Sequence, residues 1–210
     1  MFDFNLRESL LMLPAILFGF SIHEFFHAYT AKRLGDRTAE REGRVSLNPL
    51  AHIDPIGFLL FFLAGFGWAK PVPVNPSAFK NPKRDDLLVS LAGPLSNLVT
   101  ALVFAILVKL VYIVYPDVFD LPGYGEVLYD ILTYFIWVNI IMTLFNLLPI
   151  PPLDGSHILF DFLPLGLQKY REQFLQIGGI LLILLVVTDT LPIGPVTSVV
   201  YHGICRTLGI

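Results

Sequence analysis

The sequence predicts an all-α polytopic membrane protein with about four core transmembrane helices, short re-entrant segments and a small membrane-associated β-like loop. Three observations predict this class: an apolar composition, four long apolar runs, and a proline- and glycine-rich stretch between the first two runs. Of the 210 residues, 55% are hydrophobic and 15% are charged, whereas roughly 25% are charged in soluble domains. The length suits one compact unit, so we expect residues 1–210 to form a single integral membrane domain with its core at 10–190.

The composition also excludes some classes of partner and site. A formal net charge of −3 gives no indication of nucleic-acid binding, so the expected partner is the lipid bilayer. Cys205 is the one cysteine, which excludes an intrachain disulfide and a cysteine-rich metal site. The first apolar run lacks the basic leader that is typical of a cleaved signal peptide.

Four apolar runs are close to or above the length of about 20 residues that crosses a bilayer. In chain order they are Leu10–Ala31, Leu87–Tyr115, Val127–Leu148 and Phe174–Leu191. Two shorter apolar pieces, Pro55–Phe66 and Gly155–Leu165, contain too few residues to span. Their length indicates re-entrant or interfacial segments.

The loop from Gly43 to Pro82 has a different character from the apolar runs. Its stretches "GRVSLNPLAHIDPIG" and "GFGWAKPVPVNPSAF" are rich in proline, glycine and β-branched residues, which predicts short strands and turns. The prolines of "KPVPVNP" restrict that piece to the edge of a sheet. Two placements stay open: a β-like loop that dips into the membrane beneath a covering of protein, and a loop on the membrane surface.

The distribution of basic residues predicts the orientation. Nine lysines and arginines lie between Lys32 and Arg84, and the connection from Tyr115 to Glu126 has none. Because cytoplasmic loops carry an excess of basic residues, we expect a multi-pass protein of the cell membrane with an extracytoplasmic N-terminus. The end of the first helix, and any site on it, then faces the cytoplasm.

The first apolar run contains the stretch "SIHEFFHAYTAKRLGD", which places His23, Glu24 and His27 at its end. A spacing of four residues puts both imidazoles on one helix face. Glu24 lies about 100° from His23 and about 60° from His27 around the helix axis. This pattern suits zinc held by two nitrogen ligands, with a carboxylate beside the metal as a base for a water molecule. Ionisable side chains are costly within a membrane span, so they favour a metal site over chance.

A catalytic zinc site normally has a third protein ligand. The carboxylates and imidazoles available for it are His52, Asp54, Asp154, His157, Asp161 and His202. Prolines that follow the third span must break its helix and leave Asp154 in a turn on the same side as His27. Asp154 is also placed to cap the next short segment, and spacing alone leaves it only slightly ahead of His157.

Polar side chains also recur on the second and third spans. Asn139, Thr143 and Asn146 form a stripe that either bridges helices or binds the substrate. Asn146 is the better functional candidate, since it is nearest to Asp154. On the second span, the four-residue spacing of small residues around Asn97 indicates a close-packing face first, and a place to orient ligands second.

Three motifs in this order, "HEFFH", "AGPLSN" and "NLLPIPPLDG", resemble those of the site-2 proteases, the intramembrane zinc metalloproteases. The resemblance covers residues 10–190. It implies one Zn²⁺ per chain held by His23, His27 and Asp154, with Glu24 as the catalytic base and Asn146 as a further active-site residue.

The same resemblance implies an endopeptidase whose substrates are single-span membrane proteins, with the Gly43–Pro82 loop binding the substrate. No PDZ domain interrupts the Tyr115–Glu126 connection and no cystathionine-β-synthase-like domain follows the last span, so the chain resembles a minimal form.

Three other functions compete with proteolysis. A metal-ion transporter or sensor would use the same two histidines and Asp154. Such proteins often carry internal repeats, of which this sequence shows none, and a transporter gives Glu24 no distinct role. A non-haem di-iron oxygenase would need more clustered histidines than the five in this chain. An inactive adaptor would not need Glu24.

Overall fold

The computed structural model describes residues 6–64, 67–164 and 170–210. The helices of these ranges are α1 (Leu6–Leu34), α2 (Thr38–Arg41), α3 (Pro55–Ala64), α4 (Pro82–Val114), α5 (Tyr124–Asn146), α6 (Asp154–Phe162), α7 (Arg171–Val187) and α8 (Ile193–Leu208). Short 3₁₀ turns occupy Pro49–Ala51, Pro76–Ala78 and Val118–Asp120. The predicted helical class is confirmed for the described ranges, which contain no β-strand.

Helices α1, α4 and α5 contain 29, 33 and 23 residues and are long and apolar enough to cross a membrane. They correspond to the first three predicted spans and pack against one another. Ala101 and Ala105 of α4 and Ala15 of α1 are fully buried, at 0% exposure. Their small side chains allow each of these two helices to approach α5 closely. The buried side chains between α4 and α5 are Ala101, Ala105, Val108, Leu132, Ile136 and Ile140, and those between α1 and α5 are Ala15, Ile16, Val138 and Met142.

The fourth predicted span, Phe174–Leu191, corresponds to α7, which begins and ends earlier. Its 17 residues extend about 26 Å at 1.5 Å per residue, short of the roughly 30 Å hydrocarbon layer. The fourth span therefore stays a prediction. Helix α8 was not predicted, and it packs against α5, where the rings of Trp137 and Tyr201 lie 5.6 Å apart.

The Gly43–Pro82 loop is less sheet-like in its described residues than its sequence predicts. One isolated antiparallel bridge joins Ile53 and Ala69, and the Lys70 N–H donates to the His52 carbonyl at 2.8 Å. Prolines that lack an N–H donor limit the extension of this pairing into strands. The predicted short segment Pro55–Phe66 is helix α3 over Pro55–Ala64, and Phe66 lies outside the described residues.

The chain reverses between α5 and α6 within a few residues. Helix α5 ends at Asn146, and Gly155 in the first turn of α6 packs directly on the carbonyls of Leu147 and Leu148. A Cβ atom at residue 155 would overlap those carbonyls, so glycine permits the close approach. This reversal returns Asp154, the first residue of α6, toward the three-helix core.

Candidate metal centre

Two histidines face inward from the C-terminal half of α1. The side chains of His23 and His27 are buried at 5% and 7% exposure, and their Nε2 atoms lie 3.0 Å apart. This is the arrangement that the four-residue spacing predicts, with both imidazoles on one helix face.

Hydrogen bonds made by the side-chain amides of Asn97 and Asn139 fix the orientation of the His23 ring. Asn97 Nδ2 donates to the Gly19 carbonyl at 3.0 Å and to Asn139 Oδ1 at 2.8 Å, so Asn97 Oδ1 is the atom that faces His23. His23 Nδ1 lies 2.6 Å from that oxygen and must carry the proton of a neutral ring. The lone pair of His23 Nε2 is then directed toward His27.

A backbone carbonyl of α4 fixes the orientation of the His27 ring. His27 Nδ1 donates to the Val89 carbonyl at 2.7 Å, which leaves His27 Nε2 as the unprotonated nitrogen of a neutral imidazole. A histidine that ligates a metal usually donates its other ring N–H to a carbonyl or carboxylate, and this fixes its tautomer. Both histidines are therefore oriented as metal ligands by their hydrogen bonds to α4.

The carboxylate of Asp154 completes the group. Its Oδ2 lies 3.2 Å from His23 Nε2 and 3.3 Å from His27 Nε2, and the three residues form a possible metal site. This Oδ2 is buried and has no hydrogen-bond donor in the described part of the chain. Two lone pairs and a carboxylate oxygen directed at one point repel one another unless a metal cation or a proton lies among them.

The spacing of the three donor atoms fits zinc. Tetrahedral Zn²⁺ takes nitrogen and oxygen ligands at about 2.0–2.2 Å, which places neighbouring ligand atoms about 3.3–3.5 Å apart. The observed separations are 3.0, 3.2 and 3.3 Å. The alternative role of Asp154 as a helix cap is not observed, since Leu153 is the cap residue of α6 and there is no side-chain cap hydrogen bond.

Glu24 is buried beside this group, and its carboxylate contacts the Gly43–Pro82 loop. Glu24 Oε2 accepts a hydrogen bond of 2.9 Å from the Val72 N–H. The sequence gives no signal for this contact, or for the Val89 contact of His27, because both are made by backbone groups.

The other candidate ligands lie in separate environments. His52 is buried and its Nε2 donates to the Ser46 carbonyl at 2.7 Å, while Asp54 caps α3 through the N–H groups of Ile56 and Gly57. His157 and Asp161 lie further along α6 from Asp154. His202 is exposed on α8, where it contacts Ser198.

The polar stripe of α5 divides into two parts. Asn139 is fully buried and accepts a hydrogen bond from Asn97 of α4. The Thr143 hydroxyl lies 2.8 Å from the Asn139 carbonyl of its own helix and 3.1 Å from the Pro94 carbonyl of α4, so both residues contact α4. Asn146 Nδ2 donates to the Met142 carbonyl of its own helix at 3.0 Å. Its predicted contribution to the active site stays a prediction.

Comparisons with known proteins give a consistent group of relatives. The model of peptidase family M50 matches residues 124–186, from α5 through Asp154 into α7. Relatives of the chain carry the name putative zinc metalloprotease. YwhC of Bacillus subtilis is 41% identical over 177 residues, which cover 84% of this chain and 80% of the relative.

Two further relatives have lower sequence identity to the chain. Rip2 of Mycolicibacterium smegmatis is 29% identical over 187 residues, covering 87% of this chain and 68% of the relative. A protein of Methanocaldococcus jannaschii, MJ0611, is 31% identical over 157 residues, covering 75% and 73%. No solved structure matches the chain.

Proposed function

Because the chain belongs to peptidase family M50, the site-2 protease family of zinc metalloproteases, we propose that it cleaves peptide bonds within the membrane-spanning segments of other proteins. One observation carries the proposal: the donor atoms of His23, His27 and Asp154 meet within 3.3 Å of one another. Both histidines lie on a helix that is apolar and long enough to cross a membrane. Ionisable groups in such a helix are costly and usually functional.

In this proposal, three side chains bind the metal ion and Glu24 transfers the proton. His23, His27 and Asp154 would hold one zinc ion. When bound, zinc polarises the scissile carbonyl and makes water a stronger nucleophile near neutral pH. Glu24 accepts the proton of the attacking water and then passes it to the leaving amine. The Val72 N–H holds one oxygen of the Glu24 carboxylate in position for that transfer.

The segment from Lys70 to Asn75 is a suitable surface for an unwound substrate. It is held at both ends and in the middle: Arg44 Nη2 donates to the Lys70 carbonyl, the Val72 N–H to Glu24, and the Asn75 N–H to Asp36 Oδ2 at 2.7 Å. This segment therefore runs past the catalytic glutamate at a fixed distance.

We infer that the substrate lies along this segment as an added strand. A substrate helix keeps its own carbonyls hydrogen-bonded, so it must unwind locally before a carbonyl can be attacked. Pro71 and Pro73 have no N–H, which means that they can only accept hydrogen bonds from a substrate strand. On the orientation predicted from the basic residues, the cut falls in the cytoplasmic half of the bilayer.

The substitution Glu24→Gln tests the proposal. The isosteric amide cannot accept a proton, so we expect cleavage of a single-span substrate to fall by about 10²–10⁴-fold with zinc still bound. Purified protein would be assayed for zinc by mass spectrometry and for cut sites on the substrate. Glu42→Gln is the matched control, because Glu42 is an exposed glutamate outside the site.

The same experiment separates proteolysis from metal transport. A transporter that used His23, His27 and Asp154 as its ion site would keep most of its transport after Glu24→Gln, since no proton transfer is needed. Full peptidase activity of the Glu24→Gln protein would refute the catalytic role. Purified wild-type protein that binds no zinc would refute the metal site itself.

A further inference from the structure

A second group of ionisable side chains lies between α4, α6 and α7, separate from the metal ligands. Asp86 Oδ2 on α4 is 3.5 Å from His157 Nδ1 on α6 and 3.9 Å from Arg171 Nη2 on α7. Arg171 Nη2 is also 3.3 Å from His157 Nδ1. We call these three residues the α4–α6–α7 cluster.

The cluster acts on the helix that supplies the third metal ligand. His23 and His27 share one long helix and are oriented by hydrogen bonds to α4. Asp154 comes instead from α6, a helix of nine residues. His157 lies one turn after Asp154, so a contact that holds its imidazole also restricts where the Asp154 carboxylate lies.

Asp86 is placed to serve both parts of the metal centre. It precedes Val89, whose carbonyl holds His27, by three residues on α4, or about 4.5 Å along the helix axis. The same stretch of α4 thus holds His27 through its backbone and α6 through the Asp86 side chain. Asp86 is buried at 7% exposure, and a buried carboxylate is expensive unless it is paired.

The neighbouring aspartate accounts for the start of α4, so Asp86 is not needed there. Asp85 Oδ2 accepts from the Asn81 N–H at 3.0 Å, and Asp85 Oδ1 accepts from Arg84 Nε at 3.2 Å. These are the contacts of a carboxylate at a helix N-terminus. Asp86 is directed at α6 and α7 instead.

Asp161 lies one helical turn after His157 on α6, close to the Asp86 carboxylate. Its Oδ2 is buried and has no hydrogen-bond donor among the described residues. Burial and the nearby Asp86 carboxylate raise the pKa of Asp161 to about 6. Asp86 therefore lies close to two side chains of α6, His157 and Asp161.

From this geometry we propose that Asp86 is a positioning residue for the metal centre. Through His157 and Arg171 it fixes α6 against α4, and so holds the Asp154 carboxylate at the two histidines. The inference rests on the proposed function, because it requires Asp154 to be a metal ligand.

The test is a titration of the metal-free, purified 210-residue chain with Co²⁺ alone, followed by the visible absorption of the bound ion. The intensity and position of these bands report the coordination geometry, which a loss of stability without displacement of Asp154 would leave unchanged. We expect Asp86→Asn to weaken Co²⁺ binding by about 10-fold, as for other residues that orient ligands, and to alter the bands. Asp85→Asn, the matched control one residue away, should bind Co²⁺ like the wild type.

Two further variants keep the inference testable. Arg171→Gln should also weaken Co²⁺ binding. The double variant Asp86→Asn/Arg171→Gln should lose less binding free energy for Co²⁺ than the sum of the losses in the two single variants. If Asp86→Asn does not fold, Asp86→Glu replaces it, with a smaller loss expected because the charge is kept and only its reach changes.

The possible failures are distinguishable. Wild-type binding and absorption in the folded Asp86 variants, together with loss in Asp154→Asn, would overturn the positioning role and leave the metal site standing. Wild-type Co²⁺ binding and absorption in Asp154→Asn would overturn the ligand assignment, and the positioning role with it.

Discussion

Gly93 marks the closest approach of α4 to the two histidines. A Cβ atom at this position would lie 2.7 Å from His23 Nε2 and closer still to His27 Nε2. Real Cβ atoms essentially never come so close to another heavy atom. Neither ring has room to move, since Asn97 and the Val89 carbonyl hold the opposite side of each.

We therefore expect Gly93→Ala to prevent metal binding. The methyl group would displace the Nε2 atoms that serve as ligands, and the zinc content of purified protein should fall from about one per chain to a small fraction of that. Metal analysis checks the result. Gly179→Ala on α7 is the control, because its Cβ meets nothing within 4 Å, and it should keep its zinc. A fully metallated Gly93→Ala protein would contradict this account of the site.

At the scale of the elements, Asp36 connects the end of α1 to the loop segment that runs past Glu24. Its Oδ1 accepts from the Thr38 N–H at 2.9 Å, and its Oδ2 accepts from the Asn75 N–H at 2.7 Å. The side chain is almost fully buried. Burial raises the pKa of Asp36, but the hydrogen bonds from Asn75 and Thr38 outweigh it and hold the pKa below its ordinary value of 3.8.

A carboxylate whose pKa is lowered by folding stabilises the folded state above its unfolded pKa. That stabilisation is lost as the pH falls through the lower, folded pKa. We expect Asp36→Asn to reduce the free energy of unfolding at pH 7 by about 1–3 kcal/mol, since a buried N–H loses its charged acceptor. The difference from wild type should disappear in strong acid.

Thermal unfolding of both proteins in detergent, from pH 7 down to strong acid, measures the difference in stability between Asp36→Asn and the wild type. The control is Asp117→Asn, because Asp117 is exposed and makes no side-chain cap hydrogen bond to the 3₁₀ turn that follows it. A deficit in Asp36→Asn that stays constant down to the lowest pH would show that the carboxylate charge is not the cause.

At the scale of the whole molecule, the three long helices and the basic residues set the expected orientation. Nine lysines and arginines lie between Lys32 and Arg84, around the ends of α1 and α4 nearest the metal centre. The connection from α4 to α5 has none between Tyr115 and Glu126. The excess of positive charge on one side predicts that this side, and the metal centre with it, faces the cytoplasm.

Cysteine labelling tests the orientation directly. Cys205 is the one cysteine, so Cys205→Ser provides a background without reactive thiols. Into it we would introduce Asp117→Cys or Arg41→Cys, both at exposed positions. A membrane-impermeant maleimide should label the Asp117→Cys variant on intact cells, and the Arg41→Cys variant only after permeabilisation. The reverse pattern would invert the topology and place the metal centre on the opposite side.

The sequence by itself determined the class of the protein and most of its candidate site. Apolar runs are local, so the existence of three long helices follows from composition and length. The pairing of His23 with His27 is also local, because it depends only on the helical repeat. Asp154 was only one of several acceptable ligands on spacing, and the resemblance of the surrounding motif singled it out.

Tertiary structure decided the rest, since long-range contacts leave no periodic signal in the chain. The return of α6 to the core, which brings Asp154 within 3.3 Å of both histidines, depends on a turn and a close backbone approach at Gly155. The contacts of Val72 with Glu24 and of Val89 with His27 are made by backbone groups, which every residue but proline carries alike. Burial also decided which polar side chains contact one another, because a buried lone pair that cannot reach water needs a hydrogen-bond donor or a cation nearby.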